Sequence, residues 1–173
     1  MSVERLRDAI RDIPDFPQPG VIFKDITPIL ADPELFKLAV DMLAAQHREQ
    51  PVDKIAVVEA RGFIFGAAVA YLLGVGLIPV RKKGKLPYQT LDATYDLEYG
   101  TATVEMHVDA VNEGDRVVII DDLLATGGTA SATAGMIEKQ GGIVVGIDFL
   151  IELAFLKGRE KLEGRKIFAP IVF

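Results

Sequence analysis

Short apolar runs alternate with longer amphipathic segments along the middle of the chain. The apolar runs are rich in Val and Ile, as buried strands are. They cover residues 55–58, 77–80, 117–120 and 143–151. Segments with apolar side chains at helical spacing lie between them, over 63–73 and 129–140. This alternation predicts an α/β fold with an open, mainly parallel sheet and helices on both faces.

The pattern differs in the amino-terminal part. Apolar side chains at near-helical spacing over 3–13 predict a helix, which the proline-rich segment 14–20 ends. Asp32 followed by Pro33 predicts the capped start of a second helix that runs to about residue 50.

The remaining segments carry weaker patterns. Alternating apolar positions at 102–108 predict a half-exposed strand, paired with a partner in 90–99 as a hairpin. Residues 155–163 are expected to be helical or irregular, and 167–172 to form a last short strand.

Composition narrows the class of protein. A chain of 173 residues fits one domain, and the absence of cysteine excludes disulfides, thiol catalysis and thiolate metal sites. The net charge of −6 argues against nonspecific nucleic-acid binding. Because the sequence has neither an apparent secretory signal nor an apolar stretch near 18–20 residues, we expect a cytoplasmic protein without membrane spans.

The segment 117–129 carries the clearest chemistry. Its apolar strand ends in Asp121 and Asp122, and a short loop then leads through Thr126-Gly-Gly-Thr129 into a helix. A helix amino terminus with glycines and hydroxyls suits a phosphate, whereas carboxylates suit sugar hydroxyls. The segment therefore favours a ribose 5-phosphate. The alternative, a capped helix without a ligand, would bury two adjacent carboxylates at a cost.

Two basic clusters follow other strands of the predicted sheet. Arg61 lies in the turn 59–62, and four cations lie within 81–85. Because ligands bind at the carboxyl ends of parallel strands, both clusters can face one polyanion. Each could instead be a solvated surface group.

Two further segments allow two interpretations each. Residues 85–100, with Pro87 and Gly100 near the ends, could form a mobile lid or an ordinary hairpin turn. Residues 16–25 are proline-braced and aromatic, so they could face a flat base or pack as a core loop.

Taken together, these segments resemble the adenine branch of the type I phosphoribosyltransferases. The matching pieces, in the family's order, are FPQPGVIFKDITPIL, EARGFIFG, VRKKGKLP, DLEYGTA, VVIIDDLLATGGT and IELAFLKGREKL. The resemblance implies purine salvage: adenine and 5-phosphoribosyl 1-diphosphate give AMP and diphosphate, with Mg²⁺ held mainly by the substrate. It also implies a homodimer, a single domain over 1–173, a small base-binding hood over 1–32 and a β-hairpin lid over 85–100.

The resemblance further implies roles for individual residues. For the 5-phosphate and ribose they are Asp121, Asp122, Ala125, Thr126, Gly127, Gly128 and Thr129. For diphosphate they are Ala60, Arg61, Arg81, Lys82 and Lys85. For adenine they are Ile22, Phe23, Lys24 and Leu153, and for the lid Glu98 and Tyr99. Glu98, Asp121 and Asp122 are the catalytic candidates, Glu98 by exchanging a proton with the base.

The sequence departs from the family at two positions. Lys24 replaces an arginine of some relatives, which a backbone contact to adenine would tolerate, and Glu59 replaces an aspartate, which leaves its role open. A transferase for a 6-oxopurine and a regulator that senses the phosphoribosyl donor are the alternatives. The first needs a hydrogen-bond donor where adenine's amino group needs an acceptor, and the second needs an added nucleic-acid module.

Overall fold

The computed structural model describes residues 2–97 and 100–173. They belong to two compact units, Met1–Met42 and Leu43–Phe173, and the boundary falls inside one helix. Among the described residues no helix is long and apolar enough to cross a membrane.

The first unit contains a two-stranded antiparallel sheet and short helices. Its elements are α1 (Ser2–Ala9), β1 (Arg11–Pro14), β2 (Ile22–Asp25), α2 (Thr27–Ala31) and the start of α3 (Pro33–Ala45). The helix predicted over 3–13 is therefore wrong beyond Ala9. The residues after it pair with β2 instead, so that Ile13 lies opposite Phe23.

Helix α3 begins as the sequence predicts and ends earlier. The Asp32 carboxylate accepts hydrogen bonds from the backbone N–H groups of Glu34 at 2.8 Å and Leu35 at 3.1 Å, which confirms the cap. The helix ends at Ala45 rather than near residue 50, because the chain then tightens into three-residue turns, with the His47 N–H donating to the Ala44 carbonyl.

The second unit is built on one large sheet. Its strands are β3 (Lys54–Val58), β4 (Gly76–Lys82), β5 (Thr90–Asp96), β6 (Thr101–His107), β7 (Arg116–Leu124), β8 (Ile143–Glu152), β9 (Ile167–Phe168) and β10 (Ile171–Val172). The order is β10-β8-β7-β3-β4-β6-β5, with β9 also beside β8. Strands β10, β8, β7, β3 and β4 pair in parallel, whereas β6 and β5 are antiparallel. This confirms the mainly parallel sheet.

Helices α4 (Arg61–Leu73) and α5 (Gly128–Lys139) cover opposite faces of the sheet. Val57 of β3 lies directly against Gly66 of α4, so tightly that a Cβ at position 66 would clash with it. The neighbouring Ala56 belongs to the buried cluster that contains Ala134 of α5. Because successive strand residues point to opposite faces, the two helices lie on opposite sides, as predicted.

The segment 85–100 contains a strand and is not one continuous loop. Residues 90–96 form β5, which pairs along its whole length with β6, so the predicted hairpin is confirmed. The strand expected over 167–172 is two short strands, β9 and β10, because Pro170 between them has no N–H to donate. Residues 155–163 form two short 3₁₀ turns, within the range expected.

Candidate active site

The loop between β7 and α5 (residues 125–127, the β7–α5 loop) lines a small cavity. Asp121 and the residues from Leu123 to Ala130, together with Phe149 of β8, line a volume of about 70 Å³. One water needs only about 10–15 Å³ on the same measure, so the cavity has room for a larger polar group. The predicted 5-phosphate residues therefore surround one cavity.

Helix α5 presents its first backbone N–H groups to this cavity. Gly127 precedes the helix in the left-handed conformation, with φ of +81°, and no side chain caps the helix start. The start of α4 after β3 likewise has no side-chain cap, whereas Asp32 caps α3. Strands β3 and β7 are neighbours in the sheet. Two uncapped helix starts, each able to bind an anion, thus follow adjacent strands.

The β7–α5 loop rests on the backbone of a segment far away in sequence. A Cβ at Gly127 would lie under 3.0 Å from the carbonyl oxygen of Gly158, and a Cβ at Gly158 would be equally close to the Ala125 carbonyl. Arg159 anchors this segment through hydrogen bonds of 2.7–2.9 Å to the buried Glu152 carboxylate. Gly127 and Gly158 therefore allow the two backbone segments to pack in direct contact, which fixes the position of the β7–α5 loop.

The two carboxylates at the end of β7 are the most perturbed groups of the site. Burial raises the pKa of Asp121 well above its ordinary value, and the neighbouring Asp122 charge raises it further. Burial also raises the pKa of Asp122, although Arg61 opposes this with its Nε 2.7 Å from the carboxylate. The pKa of Asp121 is thus raised by burial and by its neighbour, whereas the Arg61 ion pair opposes the rise at Asp122.

Arg61 connects two of the predicted subsites. It is the first residue of α4, and its ion pair with Asp122 brings a predicted diphosphate ligand to a predicted ribose ligand. A Cβ at Gly62 would lie 2.8 Å from the Asp121 carboxylate, so the first turn of α4 lies directly against the end of β7. Ala60, which precedes the helix, follows a cis peptide bond from Glu59.

Glu59, whose role the sequence leaves open, binds the end of β4. Its carboxylate accepts a hydrogen bond of 2.6 Å from the Lys82 backbone N–H and one of 3.4 Å from Arg81. Arg81 also donates to the Lys85 carbonyl at 3.3 Å. Within residues 2–97 and 100–173 the buried Arg81 Nε has no hydrogen-bond partner. The predicted diphosphate residues of β4 are thus fixed beside the turn that carries Arg61.

The loop between β4 and β5 (residues 83–89, the β4–β5 loop) is organised by one buried carboxylate. Glu105 of β6 is 3% exposed and accepts hydrogen bonds from the Lys85 and Leu86 backbone N–H groups at 2.9 and 2.8 Å. Burial alone would raise the pKa of Glu105, but the backbone donors of the loop lower it below its ordinary value.

One predicted adenine residue of the first unit, Phe23, lines a small apolar depression. Phe16 and Phe23 meet edge to face with centroids 5.2 Å apart, and they line the depression with Ile13 and Asp25. The Lys24 ammonium is 2.6 Å from the Asp12 carboxylate. Its side chain is therefore occupied by an ion pair, which fits the expected backbone contact better than a charged one.

The structure describes only some of the other predicted residues. Leu153 donates its backbone N–H to the Leu124 carbonyl at 2.9 Å, which places it beside the end of β7. Asp96 and Leu97 line a further cavity of about 450 Å³ together with Thr126 and the 156–161 segment. The lid candidates Glu98 and Tyr99 lie outside the described residues.

Sequence reasoning missed three residues that support the site. Glu105 lies between apolar residues of an alternating strand, a pattern that predicts exposure. Gly158 contacts the β7–α5 loop, and Tyr95 contacts the first turn of α5, only through the tertiary fold. The Gly158 neighbourhood offered one signal, since the matching segment IELAFLKGREKL contains that glycine.

Comparison with known proteins identifies first the protein family and then the branch of that family to which the chain belongs. The family described as phosphoribosyl transferase domain matches residues 27–167, and the chain belongs to it. An adenine phosphoribosyltransferase of Thermoanaerobacter sp. (strain X514) is 57% identical over 173 residues, 100% of both chains. Within the family, the chain is thus one of the adenine phosphoribosyltransferases.

Solved structures agree with this assignment. The adenine phosphoribosyltransferase of Thermoanaerobacter pseudethanolicus superimposes with a TM-score of 0.96 at 56% identity, covering 99% of each chain. The enzyme of Saccharomyces cerevisiae, in complex with D-2,5-dideoxy-2,5-imino-altritol 1,6-bisphosphate and adenine, gives a TM-score of 0.92 at 39% identity over 98% of each chain.

Proposed function

We propose that the cavity at the β7–α5 loop binds the phosphoribosyl donor in the reaction of this family. The chain is an enzyme of purine salvage, which transfers phosphoribosyl from 5-phospho-α-D-ribose 1-diphosphate to adenine and releases AMP and diphosphate. One observation carries the proposal: an uncapped helix start with two threonine hydroxyls lines the same cavity as Asp121, and the buried Asp122 follows Asp121 on β7.

The 5-phosphate occupies the start of α5. The backbone N–H groups of Gly127, Gly128 and Thr129 and the hydroxyls of Thr126 and Thr129 supply donors to its oxygens. Gly127 allows the left-handed turn that precedes the helix. The 70 Å³ volume at the loop supports this placement.

Asp121 and Asp122 bind the ribose hydroxyls. As the anomeric carbon–oxygen bond breaks, its electron pair goes to the leaving diphosphate and positive charge builds on the ribose. A preorganised carboxylate stabilises that charge without reorganising water. The raised pKa of Asp121 and of Asp122 follows from their burial and indicates that the free site tolerates their charge poorly.

The diphosphate contacts Arg61, Arg81 and the lysines of 82–85. Arg61 already lies at the Asp122 carboxylate, so one guanidinium can bridge the ribose and leaving-group ends. The Arg81 Nε, buried without a described partner, has a donor to offer. Among the described residues Lys82 and Lys85 make no ion pair, so their charges are available to an anion.

Mg²⁺ is the metal that we propose for this reaction. Mg²⁺ usually keeps several waters and binds through one or two carboxylates plus substrate phosphates, so we expect substrate oxygens to hold most of it. Asp121 and Asp122 are the carboxylates placed to add protein ligands. When bound, the ion neutralises phosphate charge and fixes the orientation of the leaving group.

In the first unit, adenine contacts Ile22, Phe23 and Lys24 of β2. The assignment of Leu153, in the second unit, stays a prediction from the sequence. The paired aromatic rings beside β2 supply an apolar surface for a flat base, and the Lys24 ion pair leaves recognition to backbone groups. The yeast enzyme holds adenine in its crystal structure, which supports a base site in this family. Adenine loses its N9 proton as the new bond to the anomeric carbon forms.

Three further expectations from the sequence stay predictions. Glu98 as the group that exchanges this proton and the mobility of the 85–100 lid concern residues of which two lie outside the described part. The homodimer is supported by apolar side chains exposed on α4, namely Ile64, Tyr71 and Leu72. Light scattering of the purified chain measures that assembly. A cytoplasmic location completes the proposal.

Replacing one glycine tests the phosphate role. Gly127→Ala places a Cβ at a positive φ and under 3.0 Å from the Gly158 carbonyl, so it displaces the loop. We expect AMP affinity, measured by calorimetry, to fall by about 100-fold or more, as for a lost preorganised anion site. Bulkier Gly127→Val and Gly128→Val should abolish binding of AMP and of the phosphoribosyl donor.

Gly114→Ala is the matched control. Gly114 has a φ of +82°, yet nothing lies within 4 Å of its Cβ position. Both variants carry the cost of a left-handed Cβ, about 1–2 kcal/mol, but only one moves the loop. Unchanged AMP affinity in Gly127→Ala would remove the phosphate assignment.

A further inference from the structure

Tyr95 of β5 joins the hairpin to the first turn of α5. Its hydroxyl lies 2.7 Å from the Thr129 hydroxyl, in a partly buried contact in which either oxygen could be the donor. A Cβ at Gly128 would lie 2.7 Å from the Tyr95 ring, so the glycine leaves room for the ring beside the helix start. Tyr95 also packs against the buried hydrophobic cluster that contains Ala134 of α5.

The direction of this hydrogen bond depends on what Thr129 binds. A threonine hydroxyl has one proton, and a phosphate oxygen offers only lone pairs. If Thr129 gives its proton to phosphate, the Tyr95 phenol must be the donor to Thr129. A hydroxyl that accepts one hydrogen bond becomes a stronger donor in the next, because the two bonds polarise each other.

We propose that Tyr95 is a positioning residue for the 5-phosphate: it orients the Thr129 hydroxyl and donates to it when the phosphate is bound. The inference rests on the proposed phosphate role of the β7–α5 loop. It assigns a function to a strand residue that lies outside the signature segment. It also ties the hairpin β5–β6 to occupancy of the phosphate end of the site.

Tyr95→Phe tests this, because it keeps the ring over Gly128 and removes only the hydroxyl. A net hydrogen bond of about 0.5–1.5 kcal/mol corresponds to a change of about 2–10-fold. We expect the Kd of AMP and the KM of the phosphoribosyl donor to rise by that factor. The KM of adenine and the Kd of diphosphate should not change. Thr103→Val, on the same hairpin, removes a hydroxyl that lies 2.8 Å from the Thr94 hydroxyl rather than at α5, so it is the control and should change none of these.

A double-mutant cycle with Thr129→Val separates the possible results. If Tyr95 acts through Thr129, Tyr95→Phe weakens AMP binding in the native background and has no further effect in the Thr129→Val background. An unchanged AMP Kd in Tyr95→Phe, beside a weakened one in Thr129→Val, overturns the role of Tyr95 alone. A Thr129→Val variant with native AMP affinity overturns the phosphate role of Thr129 and the inference with it. An equal loss of diphosphate binding in Tyr95→Phe would also overturn it, since that indicates a general structural change.

Discussion

The β7–α5 loop and the β4–β5 loop both depend on buried carboxylates, but in opposite ways. Glu105 beneath the β4–β5 loop is surrounded by backbone N–H donors, and its pKa is lowered below the ordinary value. Asp121 and Asp122 before the β7–α5 loop are adjacent on β7, and burial raises the pKa of both. Backbone hydrogen bonds thus stabilise the Glu105 charge, whereas Arg61 only partly offsets the cost of burying the aspartate pair.

This difference separates a structural carboxylate from a ligand-facing one. The Glu105 carboxylate accepts hydrogen bonds that hold the lysine-bearing β4–β5 loop in place. Its charge therefore stabilises the protein without a ligand. The β7–α5 loop needs no such charge, because the backbone of Gly158 already supports it. Asp121, and Asp122 beside its ion partner Arg61, are therefore placed to compensate charge that arrives with a ligand, as is common where a site trades stability for activity.

The largest expected effect that bears on this comparison is on turnover. Asp121→Asn and Asp122→Asn remove negative charge from the ribose site, where positive charge builds in the transition state. We expect kcat to fall by about 100-fold or more in each, the usual size for a lost preorganised electrostatic contact. Steady-state assays of AMP formation measure it.

An exposed aspartate gives the matched control. Asp109→Asn makes the same chemical change at an exposed position and should keep native turnover. Full activity in both β7 variants would contradict the ligand-facing assignment. Asp122→Asn should have the greater effect on the diphosphate, because it also removes the ion partner of Arg61.

The second effect is on stability and concerns Glu105. Glu105→Gln keeps one oxygen that can accept from the Lys85 and Leu86 N–H groups, but it replaces two charge-assisted hydrogen bonds with weaker neutral ones. We expect the free energy of unfolding to fall by about 1–2 kcal/mol at neutral pH, the difference in strength between hydrogen bonds to a charged and to a neutral acceptor. Urea unfolding measures it, with Glu163→Gln at an exposed position as the control. A loss no greater than that of the control would mean that the carboxylate does not organise the loop.

The sequence predicts the aspartate pair of β7 but not the buried Glu105. Asp121 and Asp122 follow an apolar run and precede Thr-Gly-Gly-Thr, so both their place in the sheet and their chemistry follow from local pattern. Glu105 could not be found in this way. It occupies an outward position of an alternating strand and is buried because a loop 20 residues earlier in sequence folds over it. Non-local hydrogen bonds of this kind leave no trace in periodicity.

The amino-terminal helix shows the same limit from another side. The apolar spacing over 3–13 fits a helix, but Ile13 belongs to a strand because β2 offers a partner. Pairing across an intervening loop overrides local preference. The capped start of α3, by contrast, depends only on Asp32 and the next few residues, and the sequence predicts it correctly.

The smallest expected effect is an increase in stability at the active site. Because the folded-state pKa of Asp121 is raised, its ionised form is disfavoured in the fold. This penalty is absent below the ordinary aspartate pKa of about 3.9, grows as pH rises through the raised value and then stays constant. Asn imitates the neutral acid, so Asp121→Asn should be more stable than the native chain by about 1 kcal/mol near pH 7.5 and equal to it in acid. Glu105→Gln has the opposite sign, since a group with a lowered pKa stabilises the fold above its ordinary pKa and loses that contribution as pH falls. Urea unfolding of both variants across pH compares the two loops directly. If both variants lost stability at neutral pH, the two carboxylate sites would not differ in kind.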